Sequence, residues 1–173
     1  MSDFKKEIAE NFQKYCSRCG GLCCKQGDAT FFAWEFKKLP EEKTRNSQIR
    51  FKDYWKRFRK NVNIKRVNLN GLCPFLTGSE CGLGHKFKPI DCVTYPIYPE
   101  VKFSGKNDKC IEGFFVHKSC PFFKEIASDD KLLDLVSKLW SGEINMMNNR
   151  EIKKWFGEKR NYWLDYNLFK IKK

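Results

Sequence analysis

Apolar residues near both ends of the chain recur at the spacing of amphipathic helices. Residues 3–15 place an apolar side chain at every third or fourth position, which predicts a first helix. The same pattern predicts helices over residues 47–62 and 149–168, and a further helix that Ser128 caps and Gly142 ends. Helices are therefore expected at both ends. The apolar positions of the first helix are Phe4, Ile8, Phe12 and Tyr15.

Short extended segments are predicted between these helices. Residues 29–33 and 64–69 are typical of strands, and residues 94–118 predict two strands joined by a turn at 104–108. Residues 70–92 carry glycines and cysteines without a regular period, so loops are expected there. We therefore predict a small α+β domain whose irregular, metal-nucleated and cysteine-rich centre is flanked by helices.

The whole chain is expected to form one domain. No internal repeat, low-complexity segment or linker divides its 173 residues, and 41% hydrophobic with 16% aromatic residues exclude a disordered chain. We predict a single domain over residues 1–173. Its cysteine-cluster core is expected over 16–120 and its C-terminal helical part over 121–173.

Charge and targeting signals narrow the cellular setting. Lys and Arg number 34 against 21 Asp and Glu, a formal charge of +13, which favours acidic partners such as nucleic acid or anionic lipid without choosing between them. Charges interrupt the first residues where a signal peptide would be apolar, and no stretch approaches the ~20 apolar residues of a membrane span. We therefore expect a soluble cytoplasmic protein, and structural disulfides are rare in that compartment.

Nine cysteines in a reducing compartment indicate metal ligands rather than disulfides. Four of them lie between Cys16 and Cys24, where a C-x2-C turn lets two thiolates share one metal. Cys73 and Cys120 each precede a proline, as the last ligand of bacterial ferredoxin motifs does. The spacing leaves open whether there are one or two metal sites, how the ligands are divided, and what Cys110 does.

The cysteines stand within a wider series of motifs. Residues Gly71–Leu76 read Gly-Leu-Cys-Pro-Phe-Leu, and Lys88–Pro96 read Lys-Pro-Ile-Asp-Cys-Val-Thr-Tyr-Pro. Together with the first four cysteines and Cys81, they resemble the YkgJ-type cysteine-cluster family of zinc- or iron-chelating CxxCxxCC domains. The resemblance covers about residues 16–96, and the combined pattern is far more specific than a single C-x2-C.

The resemblance implies metal binding, either as an iron–sulfur cluster, expected to be 4Fe–4S, or as Zn²⁺. The sequence departs from the family pattern in three places. Three residues rather than two separate Cys19 from Cys23, Lys88 stands where arginine is usual, and Val93 replaces the arginine after the cysteine. His85 and His117 are weaker ligand candidates because nine thiols already suffice. The implied ligands are Cys16, Cys19, Cys23, Cys24, Cys73, Cys81 and Cys92, with Cys120 as the eighth.

Three functions stay open at this stage. The first is a metal-binding protein that carries electrons or assists a modifying enzyme, with an unidentified protein or small-molecule partner. The second is a zinc-stabilised nucleic-acid-binding module that uses the basic residues 50–66. It is less favoured, because the charged and the aromatic residues lie on separate faces, as in a helix whose aromatic side chains belong to the core. The third is an enzyme related to lysine methyltransferases, since one branch of the family includes flagellin lysine N-methylases. Phosphate-loop and serine-hydrolase motifs are absent, so enzymatic activity stays an open question.

Overall fold

The chain folds as two compact units, which consist mainly of residues 4–93 and 94–173. Both units combine helices with small antiparallel sheets, which confirms the predicted α+β class. The single domain over 1–173 stays a prediction, because two compact units can belong to one domain or to two. The computed structural model describes residues 2–26, 30–44, 51–53, 64–67, 73, 75–78, 80–104, 108–149, 152–153 and 168–172.

Apart from one helix of 18 residues, the first unit is built from short elements around an antiparallel sheet and a hairpin. The helices are α1 (Ser2–Cys19), α2 (Leu22–Gln26), α3 (Ala33–Phe36), α4 (Glu41–Thr44), α5 (Gly84–Phe87) and α6 (Ile90–Thr94). The strands are β1 (Thr30–Phe32), β2 (Phe51–Asp53), β3 (Ile64–Val67), β4 (Leu76–Thr77) and β5 (Glu80–Cys81). The sheet has the strand order β1-β3-β2, and β4 pairs with β5 in the hairpin.

The strands predicted at 29–33 and 64–69 are confirmed by β1 and β3. The helix predicted over 47–62 is wrong at residues 51–53, because β2 forms there and pairs with β3 from Phe51–Val67 to Asp53–Lys65. Pairing with a strand elsewhere in the sequence outweighs the local helical pattern. The rest of that predicted helix lies outside the described residues. The predicted loops at 70–92 contain β4, β5, α5 and most of α6.

Helix α1 is longer than predicted and carries the first cysteines on its last turn. Ile8, Phe12 and Tyr15 are buried, whereas Phe4 is 40% exposed at the beginning of the helix. The helix stops before Gly20, whose φ of 62° is a left-handed conformation that ends helices with little strain. Cys16 and Cys19 are therefore helical. After two glycines, α2 begins at Leu22 and carries the next two cysteines, Cys23 and Cys24.

The second unit packs a long helix against a three-stranded antiparallel sheet. Its elements are β6 (Ile97–Phe103), β7 (Lys109–His117), α7 (Phe123–Ala127), α8 (Asp130–Met146) and β8 (Leu168–Lys172), and the sheet has the order β6-β7-β8. The apolar core includes Trp140 and Phe114, both fully buried. The pair β6–β7 confirms the two strands predicted within 94–118, and residues 105–107 of the turn lie outside the description.

The ends of α8 differ from the sequence prediction. Asp129 caps the helix, since its Oδ1 accepts a hydrogen bond from Leu132 N at 3.1 Å, and Ser128 instead follows α7. Gly142 does not end the helix, which continues to Met146. Lys109 Nζ donates to Met147 O at 2.6 Å and so provides a hydrogen-bond partner for a carbonyl group at the end of the helix. No local sequence signal could reveal this contact, because Lys109 is distant in sequence.

The last predicted helix, over 149–168, is only partly tested. Residues 152 and 153 are helical, as predicted, and residues 154–167 lie outside the description. At residue 168 the prediction is wrong, because β8 begins there and pairs with β7 from Leu168–His117 to Lys172–Gly113. Phe114 of β7 faces Ile171 in that pairing, so an apolar register with a distant strand fixes the conformation.

Candidate metal centre

The first four cysteines lie on two helices joined by two glycines. Cys16 is exposed, and Cys19 Sγ lies 3.5 Å from the carbonyl oxygen of Cys16. Cys23 and Cys24 are both half-buried on α2, and their thiols form a hydrogen bond with each other. The turn at Gly21 begins α2, since Gly21 O accepts from Cys24 N at 3.0 Å.

A backbone hydrogen bond joins this first group to the cysteines further along the chain. Cys73 N donates to Cys24 O at 2.9 Å, although the two residues lie 49 positions apart in sequence. Leu76 N in turn donates to Cys73 O at 3.0 Å, so Cys73 begins the turn that leads into the hairpin. Cys81 lies directly opposite Leu76 in the β4–β5 pairing. The hairpin therefore brings Cys73 and Cys81 to one end of the site.

The hairpin has no room for a larger residue at its tight return. Gly82 N donates to Phe75 O at 2.6 Å. A Cβ atom on Gly82 would lie 2.7 Å from Thr77 Oγ1 and 3.2 Å from Phe75 O. A larger residue at this position would therefore require Thr77 and its neighbours to shift, so close packing favours glycine here.

Cys92 reaches the same region from α6. Its amide donates to Pro89 O at 3.0 Å, which closes the first turn of the helix. Cys73, Cys81 and Cys92 all pack against one apolar cluster. Phe31 and Phe75 meet edge to face in this cluster, with ring centroids 5.9 Å apart. The buried members of the cluster are Phe31, Leu39, Phe75 and Leu83.

The apolar surroundings keep these thiols protonated near neutral pH. Burial, together with the neighbouring sulfurs of Cys24 and Cys81, raises the pKa of Cys73 to about 11. Burial likewise raises the pKa of Cys81, and it raises that of Cys92 well above its ordinary value. The hydrogen bond from Cys23, followed by burial, raises the pKa of Cys24. These four sulfurs come from three separate segments and lie within electrostatic reach of one another.

Backbone amides point at the same sulfurs. The amides of Phe75 and Leu76 donate to the sulfur of Cys73, and the amide of Leu83 donates to that of Cys81. These bonds lower the thiol pKa, against the effect of burial. Amide hydrogen bonds to sulfur are a feature of protein iron–sulfur and zinc sites, where they stabilise the negative charge on the ligand.

Lys88 supplies positive charge to this group of sulfurs. Burial lowers the pKa of Lys88, but the negative charge that Cys92, Cys81 and other cysteines carry when ionised raises it by more, so the net pKa lies above the ordinary value. Lys88 therefore stays cationic beside the cysteines. A thiolate cluster of high negative charge needs such a counter-charge when it is partly removed from water.

The donors fit zinc or iron in chemistry, although they are not drawn together into a ligand shell. Across the part of the chain that the structure describes, no group of three or more Cys, His, Asp or Glu side chains is arranged to hold a metal ion. Thiolates are soft ligands that select zinc and iron–sulfur clusters over hard cations.

The remaining predicted residues are distributed over both units. His85 is exposed on α5, whereas Cys110 and Cys120 belong to the unit of residues 94–173. Cys110 is exposed on β7 opposite Lys102 of β6. His117 is buried, and its Nδ1 accepts a hydrogen bond from Ser119 N at 3.2 Å, so a protein group already accounts for that nitrogen. The role of Cys120 as eighth ligand stays a prediction.

Sequence reasoning missed a buried ion pair beside the cysteine segments, formed by Lys5 and Glu35. Lys5 stands three residues before the buried Ile8, on the apolar side of α1. That position is a signal, because a lysine among core positions needs an acidic partner. The partner could not be identified locally, since Glu35 lies 30 residues away in sequence.

The folded chain is an α+β protein in which cysteines from separate segments gather around an apolar cluster beside a lysine, and this defines the class of thiol-rich metal-chelating domains. A profile of the family CxxCxxCC, described as "Putative zinc- or iron-chelating domain", matches residues 15–111, more than half of the 173 residues. The chain belongs to this CxxCxxCC family. No curated protein and no solved structure matches it. Among the residues described, no helix has the length and apolar character needed to cross a membrane.

Proposed function

We propose that the protein binds a metal centre, as a 4Fe–4S cluster or as Zn²⁺, with Cys24, Cys73, Cys81 and Cys92 as its ligands. The observation that carries this proposal is that four sulfurs from three segments lie within electrostatic reach of one another. The backbone bond of 2.9 Å from Cys73 N to Cys24 O joins two of these segments. The exposed or half-buried Cys16, Cys19 and Cys23 are further ligand candidates at the edge of this group. Cys120 is retained as the eighth candidate.

Electrostatics supports a metal at this position. Partial burial holds these thiols in the protonated form, and a cation that replaces the protons relieves the cost of charging four half-buried sulfurs. Four thiolates with Zn²⁺ carry a net charge of about −2. The ammonium of Lys88 reduces this charge, and the amides that donate to Cys73 and Cys81 spread it.

A four-thiolate set also limits the chemistry of the centre. Tetrahedral thiolate coordination leaves no open position on zinc, which is typical of structural sites. The same ligand set holds a 4Fe–4S cluster, which supplies one-electron chemistry. We propose that the iron form carries electrons or assists a modifying enzyme in the cytoplasm, whereas the zinc form joins the three cysteine segments mechanically.

Cysteine-to-serine substitution tests the ligand set. C24S, C73S, C81S and C92S are each expected to lose most of the bound metal, because an alcohol is a poor ligand for zinc or iron. The control is C110S, since Cys110 is exposed on β7 in the other unit and is expected to leave metal content unchanged. Metal per chain is measured by elemental analysis, and an absorbance band near ~400 nm reports iron–sulfur charge transfer. Full metal content in all four variants would reject the proposed ligands.

The other two functions gain no observation from the structure. The basic segment proposed for nucleic acid includes Arg57, Arg59 and Lys60, which lie outside the described residues. Its test is salt-dependent binding to arbitrary DNA or RNA that is lost when these three residues become Glu. The methyltransferase alternative also stays a prediction, and transfer of a methyl group from S-adenosylmethionine to a lysine-containing protein tests it.

A further inference from the structure

Lys5 and Glu35 form a buried ion pair in the same unit as the first seven cysteines. Neither residue is a proposed metal ligand. Lys5 Nζ lies 2.9 Å from Glu35 Oε1, and the two residues are only 9% and 8% exposed. Removing two charges from water is costly, and their mutual attraction compensates only when further hydrogen bonds satisfy their other atoms. The surroundings of the pair therefore indicate what it holds in place.

The further hydrogen bonds of the pair go to backbone groups of other segments. Lys5 Nζ donates to Lys88 O at 3.1 Å. Glu35 Oε1 accepts from Ile90 N at 2.8 Å, and Glu35 Oε2 accepts from Phe32 N at 3.2 Å. The Lys5 ammonium thus binds the backbone at the Lys88 carbonyl, and the Glu35 carboxylate binds it at the Ile90 amide.

These contacts connect the segments that carry cysteines. Lys5 belongs to α1, whose last turn carries Cys16 and Cys19. Ile90 is the first residue of α6, which carries Cys92 two positions later. Lys88 itself directs its charge toward the sulfurs, while its carbonyl oxygen is held by Lys5. The pair therefore fixes the backbone from which both Lys88 and Cys92 extend.

We propose that Lys5 and Glu35 are positioning residues of the metal centre. They hold the 88–90 backbone, and so they place the Cys92 thiol and the Lys88 ammonium beside the sulfurs of the remaining ligands. This inference rests on the proposed metal-binding function. Neither residue touches the metal, so each acts through the residues that it holds. Polar groups that orient metal ligands in this way commonly change metal affinity when they are removed.

Two single substitutions test the pair. E35Q has the same shape, but it removes the charge and places an amide donor where the carboxylate accepts from backbone N–H groups. K5M keeps the length of the side chain and removes the donor to Lys88 O. We expect both to weaken Co²⁺ binding roughly 10- to 100-fold. If K5M does not fold, the isosteric E35Q carries the test.

A charge reversal distinguishes two roles of the pair: hydrogen bonding to the backbone, and attraction between the two side chains alone. The double variant K5E/E35K keeps the attraction between the two side chains. Its carboxylate at position 5 cannot donate to Lys88 O, and its ammonium at position 35 cannot accept from the amides of Ile90 and Phe32. We therefore expect the reversal to bind Co²⁺ as weakly as the single variants. Recovery of wild-type affinity would overturn the proposal.

The measurement uses the full chain and Co²⁺ as the metal probe. Affinity is obtained by competition with a chelator, and the cobalt–thiolate bands report how many sulfurs bind and in what geometry, which a general loss of stability would not change. Circular dichroism of each metal-free variant confirms that it is folded. The matched control is K138M, which removes an exposed ion pair with Asp134 on α8 and is expected to leave both readouts unchanged.

The outcomes separate this proposal from the proposed function. If the wild type binds no Co²⁺, Zn²⁺ or iron, the metal-binding function fails, and the positioning role fails with it. If the wild type binds Co²⁺ and E35Q binds it with the same affinity and the same spectrum, the positioning role is wrong while the metal centre stands. Weaker binding with altered bands in E35Q, in a folded chain and beside an unchanged K138M, is the expected result.

Discussion

Protonation of single cysteine residues controls how readily the proposed centre takes up a metal. Burial raises the pKa of Cys73 to about 11 and that of Cys92 well above its ordinary value, so both sulfurs carry protons at neutral pH. The metal must displace these protons, because the thiolate is the ligand. The positive charge of Lys88 and the amides that donate to Cys73 and Cys81 favour the deprotonated form once the metal is bound.

Metal affinity is therefore expected to rise with pH. Since the pKa values of the four proposed ligands are raised, the sulfurs hold their protons throughout the neutral range, and each metal ion should release about four protons. Lowering the pH should weaken binding for the same reason. Titration calorimetry of Zn²⁺ in buffers of different ionisation enthalpy counts the released protons. C110S lacks an exposed cysteine that is not a proposed ligand, so it should release the same number of protons as the wild type. Release of no protons by the wild type would contradict thiol ligation.

Individual elements show which parts of the fold depend on distant partners. The end of α8 is an example, because Lys109 of β7 donates to Ile144 O at 3.3 Å and Met147 O at 2.6 Å. Gly142 lies within this helix and does not end it. A Cβ atom at this position would meet nothing within 4 Å, so packing does not require a glycine here. Helix α8 therefore owes its length to packing and to Lys109 rather than to a local stop signal.

The beginning of α8 gives a direct comparison between neighbouring residues. D129A removes the carboxylate that accepts from Leu132 N at 3.1 Å and should lower the free energy of unfolding by about 1 kcal/mol. S128A removes only an exposed bond from Ser128 Oγ to Lys124 O and should change it by less than about 0.5 kcal/mol. Urea denaturation at a fixed metal concentration measures both. A larger effect of S128A would contradict the assignment of the cap.

The sequence predicts elements whose signals are local and fails where a distant partner decides. The strands of 94–118 and the cysteine motifs could be recognised because their patterns are short and contiguous. Strand β2 could not, because Phe51 shares a helical period with later aromatics and becomes extended only by pairing with Val67. The Cys24–Cys73 backbone bond and the Lys5–Glu35 pair are likewise long-range contacts that no local window contains.

At the scale of the whole molecule, the proposed metal would act within one of the two units. The unit of residues 94–173 has an apolar core around Trp140, whose Nε1 donates to Thr94 Oγ1 at 3.1 Å. In the unit of residues 4–93, the bond between Cys73 and Cys24 joins cysteine segments that are far apart in sequence. A metal held by these segments would add further cross-links between them.

Removal of the metal should therefore affect one part of the chain. We expect hydrogen exchange to accelerate in residues 16–26 and 73–92 after chelation, while β7 and α8 keep their protection. Mass spectrometry of peptides before and after chelator treatment measures this difference. In C73S, which should hold no metal, the chelator should change nothing. Equal loss of protection throughout the wild-type chain would contradict a local centre.

A thiolate-bound metal in the intact protein underlies every expectation above. The most direct measurement is elemental analysis, with acid-labile sulfide, of the protein purified without oxygen. We expect bound iron with matching sulfide and a band near ~400 nm, or zinc in a colourless protein. A folded protein with neither metal, in which all nine cysteines react as free thiols, would contradict metal binding by these cysteines.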